Sequence, residues 1–166
     1  MLTIRRAEAQ DFEQIWPILQ AIAASGEVFA WPRDVGPEMA RQLWMQAPQQ
    51  LTCVAEQDGR ILGSYYVKPN QLGGGAHVCN AGYAVAEAAR GQGLAAAMCE
   101  HSQALARELG FTAMQFNFVV SSNEAAVHLW TRLGFATVGR LPGAFDHPRL
   151  GWVDALVMFK RLQMQL

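Results

Sequence analysis

An α/β domain, a mixed sheet with helices packed on it, is the fold class this sequence predicts. Runs of apolar residues alternating at period two are interleaved with runs recurring at helical spacing. Glycine, proline and Asp-Gly signals separate them. With 166 residues, 51% of them hydrophobic, the chain can bury one core that stands without staples, so one domain over residues 1–166 is expected.

Leu2 to Arg6 reads as the first strand. Asp11 stands as a helix cap ahead of Phe12, Ile15, Trp16, Leu19 and Ile22, with Pro17 placed to kink the helix. A loop from Gly26 to Asp34 leads to a short helix near Pro37 to Ala47. Leu51 to Glu56 and Arg60 to Lys68 form a hairpin turned at Asp58-Gly59, and Gly73 to Gly75 reads as a flexible connector. His77 to Val85 is a fourth strand. Gln92 to Leu109 is a long helix with Leu94, Met98, Leu105 and Leu109 on one face, closed by Gly110. Met114 to Val120 is the next strand, and Ser121 with Glu124 makes a capping box for a helix ending at Gly134. Phe135 to Leu141 and Trp152 to Phe159 complete the sheet, giving the order β-α-α-β-β-β-α-β-α-β-β.

Thirteen Lys and Arg stand against 14 Asp and Glu, for a net charge of -1, and the basic residues are scattered. That argues against nucleic acid, whose binding needs a basic stripe. Apolar runs such as Ile18 to Ala24 are too short to span a bilayer, and Met1 precedes a strand-like segment, so a soluble cytoplasmic protein without a membrane partner is expected. Cys53, Cys79 and Cys99 lack the paired spacing of metal or redox sites; they read as core residues, and no metal is expected. A Cys79 thiol activated by His77 is the rarer alternative.

The densest chemical signal is the turn Arg90-Gly91-Gln92-Gly93-Leu94-Ala95, set between a strand and a helix. Two glycines free the backbone amides, the helix adds its positive end and Arg90 adds charge, so the segment reads as a pyrophosphate cradle. The same residues match G-x-G-x-x-A, the dinucleotide fingerprint. Five residues (Ala86 to Arg90) nevertheless separate the strand from the first glycine, and the following strand offers Asn117 but no acid for a ribose.

The segment Asn123 to Phe135, taken with Val85 and the Arg90 to Ala95 turn, resembles the GCN5-related N-acetyltransferase (GNAT) superfamily. There a strand ending in valine, a Q/R-x-x-G-x-G/A loop and an N-x-x-A-x-x-L-Y-x-x-x-G-F helix follow one another. The resemblance is strong across residues 76 to 140 and rests on element order elsewhere. It implies a mostly antiparallel sheet of about seven strands flanked by about four helices. It also implies acetyl-CoA as cosubstrate, its pyrophosphate held by Arg90, Gly91, Gln92, Gly93, Leu94, Ala95 and Ala96. Tyr83, Ala84 and Val85 would pair with the pantetheine arm while the neighbouring strand splays away, and a backbone amide there would bind the thioester oxygen. Asn123 would hydrogen-bond the arm, and it can equally cap its helix.

The tyrosine that protonates the leaving thiolate in this superfamily falls at Trp130, a cofactor-site residue whose indole is no acid at working pH. Tyr83, a serine at 121 or 122, or water can supply the proton; unassisted departure is also open, since a free thiol has a pKa of about 8.5. Phe118 stands where some members carry a glutamate base. Asn80, Asn117 and Asn123 resemble the branch containing yeast acetyltransferases of azetidine-2-carboxylate and related proline analogues. Asn80 would orient the amine or the substrate carboxylate and Asn117 would line the cleft, unless Asn80 only satisfies a bulged strand.

Glu27, Phe29 and Trp31 lie in the loop between the first two helices, and Phe145 and His147 in a loop before the last strand; these ends would shape the acceptor pocket. The aromatics suit a small, partly apolar amine, with Glu27 as base directly or through water and His147 as a second candidate. His101 and His128 read as helix-surface residues. The implied function is direct acetyl transfer to the amine of a small metabolite, an amino acid or analogue among them, with a homodimer formed through the last strands. A protein or peptide N-acetyltransferase would share the cofactor residues but needs an open acidic groove. A non-catalytic acyl-CoA sensor would tolerate Trp130.

Overall fold

The computed structural model describes residues 1–162, so the far end of the expected 1–166 domain lies outside the described residues. Its elements are β1 (Thr3–Arg6), α1 (Phe12–Ser25), α2 (Pro37–Met45), β2 (Leu51–Gln57), β3 (Arg60–Pro69), β4 (Val78–Val85), α3 (Leu94–Glu108), β5 (Ala113–Val120), α4 (Glu124–Arg132), β6 (Ala136–His147) and β7 (Gly151–Arg161). This is the order expected, in one seven-stranded sheet arranged β1-β2-β3-β4-β5-β7-β6. Neighbours run antiparallel except β4 and β5. Among the described residues no helix is long and apolar enough to cross a membrane.

The parallel pair is short. β4 and β5 match only over Val78–Asn80 and Ala113–Gln115. Beyond that, the β5–β7 ladder is interrupted between Phe116 and Val119, and such a bulge bends and twists the strand that carries it. The consequence for β4 follows from its hydrogen bonds. Val78 accepts from Asn70 N–H and Ala86 donates to Leu62, both toward β3. Residues alternate along a strand, so Tyr83 and Val85 turn their backbone groups to the opposite side, where β5 has departed.

Each face of the sheet buries its own core. Met98, Cys99 and Ala106 of α3 and Trp130 of α4 pack on Tyr65, Cys79, Phe116 and Phe135. On the other face Ile15, Leu19 and Ile22, spaced three and four apart on α1, join Trp44 of α2 over Val54 and Ile61. The indole N–H of Trp44 donates to Ser64 Oγ at 2.9 Å, which donates to the Cys53 carbonyl at 2.7 Å, so the polar atoms of these two buried side chains are paired.

Several local expectations are corrected. Asp11 has helical backbone ahead of α1 and gives that helix no side-chain cap; its carboxylate instead accepts Glu8 N–H in the capping box of the preceding 3-10 turn, and the Arg5 guanidinium at 2.8 Å keeps the carboxyl below its ordinary range. Asn123, not Ser121, caps α4, its Oδ1 accepting from Ala126 N–H at 3.4 Å. Gly73–Gly75 forms a 3-10 turn instead of a flexible connector. His101 is partly buried, with Nδ1 2.6 Å from the Tyr65 hydroxyl. β6 continues to His147 because Pro142 and Gly143 sit in a register shift on an edge strand, where a missing N–H is tolerated.

Helix α3 lies close on β3 at Gly63. A Cβ there would sit 3.0 Å from the Ala84 carbonyl oxygen, 3.0 Å from Met98 Cε and 3.1 Å from Leu94 Cδ2. Gly63→Val is expected to destabilise the protein by about 1–3 kcal/mol through overpacking. Urea unfolding followed by circular dichroism measures this, and an unchanged midpoint would contradict the close docking.

Candidate active site

The parting of β4 and β5 opens a cleft of about 480 Å³ lined by residues of both strands. A groove of about 430 Å³ continues from it toward α3, and the two share Val85, Ala95, Ala126 and Trp130.

The groove is built from the glycine turn. Gly91 and Gly93 have φ of 75° and 79°, the left-handed region that glycine enters without strain, and Gly93 forms the N-cap of α3. No side chain caps this helix, and among the described residues the N–H groups of residues 91 to 96 find no acceptor. Arg90, Gly91, Gly93, Leu94, Ala95 and Ala96 line the groove together with Arg132. Gln92 lies outside the lining, its side chain donating to the Ala88 carbonyl. Free amides at a helix start, in a groove also lined by two arginines, are chemically suited to an anion.

In the cleft the Tyr83 and Val85 backbone groups face the gap, whereas Ala84 turns its own to β3. Trp130 forms the wall between cleft and groove, its ring 5.0 Å from Tyr83 and 5.1 Å from Phe116. The Tyr83 hydroxyl points under α3, 2.6 Å from Ser102 Oγ, and burial pushes its pKa well above the usual value. The only part of Tyr83 offered to the cleft is therefore its backbone and ring. Ser122 Oγ is buried without a partner and lines neither cavity. Asn123 lines the cleft while capping α4.

At the far end Phe29, Trp31, Trp44 and Tyr66 form an aromatic box, with Trp44 5.9 Å from Phe29, 6.1 Å from Trp31 and 5.0 Å from Tyr66 between ring centroids. Gly82 permits it, since a Cβ there would lie 2.7 Å from the Tyr66 ring. Asn80, 7% exposed, donates from Nδ2 to the Gln115 carbonyl at 3.0 Å and faces the Tyr66 hydroxyl with Oδ1 at 3.4 Å. Asn117 also lines the cleft.

Glu27 stands elsewhere. Its Oε1 accepts from Arg149 at 3.0 Å and lies 3.8 Å from His147 Nε2, so it ties the α1–α2 loop to the β6–β7 turn. His147 and Phe145 belong to β6 rather than to a loop, and both are buried. Nδ1 of His147 accepts the Arg149 and Leu150 N–H groups, and Phe145 backs Phe118, a cleft residue, at 6.2 Å. Trp44 and Tyr66 escaped the sequence reading. The β3 alternation shows that Tyr66 shares a face with Ser64, but which face meets α2 depends on a register that one strand does not disclose.

Residues 10–135 match the model of the Acetyltransferase (GNAT) family. N-acetyltransferase aca1 of Schizosaccharomyces pombe is 32% identical over 115 residues, covering 67% of this chain and 54% of that protein, so the chain spans about half the length of this curated relative. A solved GCN5-related N-acetyltransferase from Kribbella flavida is 44% identical with a TM-score of 0.92, covering 97% of this chain and 98% of that one. A GNAT superfamily phosphinothricin acetyltransferase from Sinorhizobium meliloti, in complex with AcCoA, shares the fold at 21% identity and a TM-score of 0.85 over 97% of this chain and 88% of its own.

All three cysteines are buried, and burial raises each thiol, Cys79 to about 12. A thiol so raised is no nucleophile near neutrality. Titration of the native protein with a disulfide reagent at about pH 8 is expected to show no fast thiol, and all three after unfolding. One fast native equivalent would contradict the placement.

Proposed function

The chain belongs to the acetyltransferase (GNAT) family, and we propose that it transfers the acetyl group of acetyl-CoA to the amine of a small metabolite. The observation that carries this reading is continuity: a donor-lined anion groove joins an aromatic pocket along one unpaired strand edge. The residues fit acetyl-CoA, because free amides over 91–96 suit a pyrophosphate and the open edge of β4 suits an amide-bearing arm.

Acetyl-CoA supplies the activated thioester carbonyl. Arg90, Arg132 and the turn amides hold the phosphates, and the backbone of Tyr83 and Val85 pairs with the arm. One of these outward N–H groups donates to the thioester oxygen as negative charge builds on it. Asn80 Oδ1, beside the Tyr66 hydroxyl, accepts an N–H of the acceptor and aims its nitrogen at the carbonyl. No carboxylate or imidazole lines the pocket among the described residues, so in this reading the amine proton leaves to water and the thiolate departs without a side-chain acid. Glu27 and His147 act by holding the pocket loop in place. A protein acceptor is disfavoured because the lining is aromatic and carries no acidic side chain. A cytoplasmic homodimer completes the reading; Trp152, 81% exposed on β7, would lie in its contact, which sedimentation velocity can detect.

Two substitutions separate the halves of the site. Gly93→Glu places charge and bulk at a positive-φ position in the groove and is expected to abolish acetyl-CoA binding in calorimetry. Asn80→Ala should leave that affinity nearly intact while lowering turnover by about tenfold or more, the usual cost of losing a positioning contact. Normal affinity in the first, or normal turnover in the second, would overturn the corresponding assignment.

A further inference from the structure

Resting on the acetyl-transfer reading, we propose that the acceptor carries a carboxylate and that Lys68 binds it. Lys68 on β3 stands directly opposite Asn80 on β4 and two residues beyond Tyr66. Cross-strand partners and residues two apart share a sheet face, so Lys68 lies on the face that holds the aromatic box. Its Nζ is 5.5 Å from the centroid of the Tyr66 ring, which lines the cleft.

The Lys68 ammonium rests over the Tyr66 ring, a contact that uses none of its three N–H donors. Among the described residues no carboxylate lies within ion-pair distance of it. Two other cations toward this end already donate to oxygen: Arg149 to Glu27 and Arg33 to the Ala24 carbonyl.

Side-chain amides of β5 and of the residue after β3 are linked in one direction. Asn80 Nδ2 donates to the main-chain carbonyl of Gln115; the side-chain relay begins at Gln115 Nε2, which donates to Asn117 Oδ1 at 2.9 Å, and Asn117 Nδ2 donates to Asn70 Oδ1 at 2.7 Å. The chain of amides ends on Asn70, whose Nδ2 has no protein acceptor among the described residues. An ammonium and a free amide N–H₂, two residues apart in sequence, are donors without an acceptor. A carboxylate satisfies both, whereas a second ammonium would be repelled. Opposed residues in a ladder hold their Cβ atoms about 5 Å apart. An amine on Asn80 and a carboxylate on Lys68 are thus within the span of one small amino acid.

The test compares acetylation of amino acids with that of their carboxamides in the wild type, Lys68→Met and Lys68→Arg. The quantity read is the change in the acid-to-amide ratio of kcat/KM between variants, which cancels the difference in amine basicity. Lys68→Met should lower that ratio about tenfold or more, through KM for the acid, with the amide nearly unaffected and Lys68→Arg retaining the preference. An unchanged ratio in Lys68→Met overturns the carboxylate site while leaving acetyl transfer standing. Absence of any acetylated product overturns acetyl transfer instead. In that event tryptophan quenching by the acids, lost in Lys68→Met, still upholds the site, and quenching that ignores the substitution sinks it.

Discussion

The parting of β4 from β5 is the constraint on which the remaining structure depends. A sheet ordinarily pairs every interior strand on both sides, since buried backbone groups without partners are costly. Here the parallel ladder stops after Asn80 and Gln115, and the outward groups of Tyr83 and Val85 are left facing a gap in the middle of the sheet. The chain then leaves β4 through a short 3-10 turn and reaches Gly91 and Gly93, so a second set of unpaired donors follows in sequence and adjoins in space. Two sites for one extended ligand arise from a single interruption of strand pairing.

Rigid walls are needed to keep such a gap from collapsing. Tyr83, Trp130, Phe116 and Phe135 form a run of ring contacts with centroids 4.3 to 5.1 Å apart, packed on the face that carries α3 and α4. On the opposite face the box around Trp44 supports the acceptor end. The ion pair of Glu27 with Arg149 adds less, because Arg149 is 71% exposed and such pairs contribute about 0–1 kcal/mol. Burial of one large aromatic side chain contributes about 1.5–3 kcal/mol. Aromatic packing, more than charge, therefore sets the shape of the pocket loop.

Much of this was legible in the sequence. Element order follows from periodicity and turn residues, and the glycine turn announces its own backbone requirement at Gly91 and Gly93. The limits of legibility are equally physical. Pro142-Gly143 looks like a strand end and is a bulge on an edge strand, which hid the continuation of β6 to Phe145 and His147. Tyr83 has a donor's chemistry, but the side on which its hydroxyl lies is decided by packing against Ser102. Trp44, Tyr66 and Lys68 converge with Asn80 only through the register of β3 on β4 and the seating of α2, neither of which a single strand or helix encodes.

Hydrogen–deuterium exchange with and without acetyl-CoA tests the central claim most directly. Amides of residues 81–85 and 91–96 should become protected together on adding acetyl-CoA, while the β6–β7 hairpin stays as it was. Protection confined to other segments, or none along β4, would contradict a cofactor seated on the strand edge that the parting of β4 and β5 leaves open.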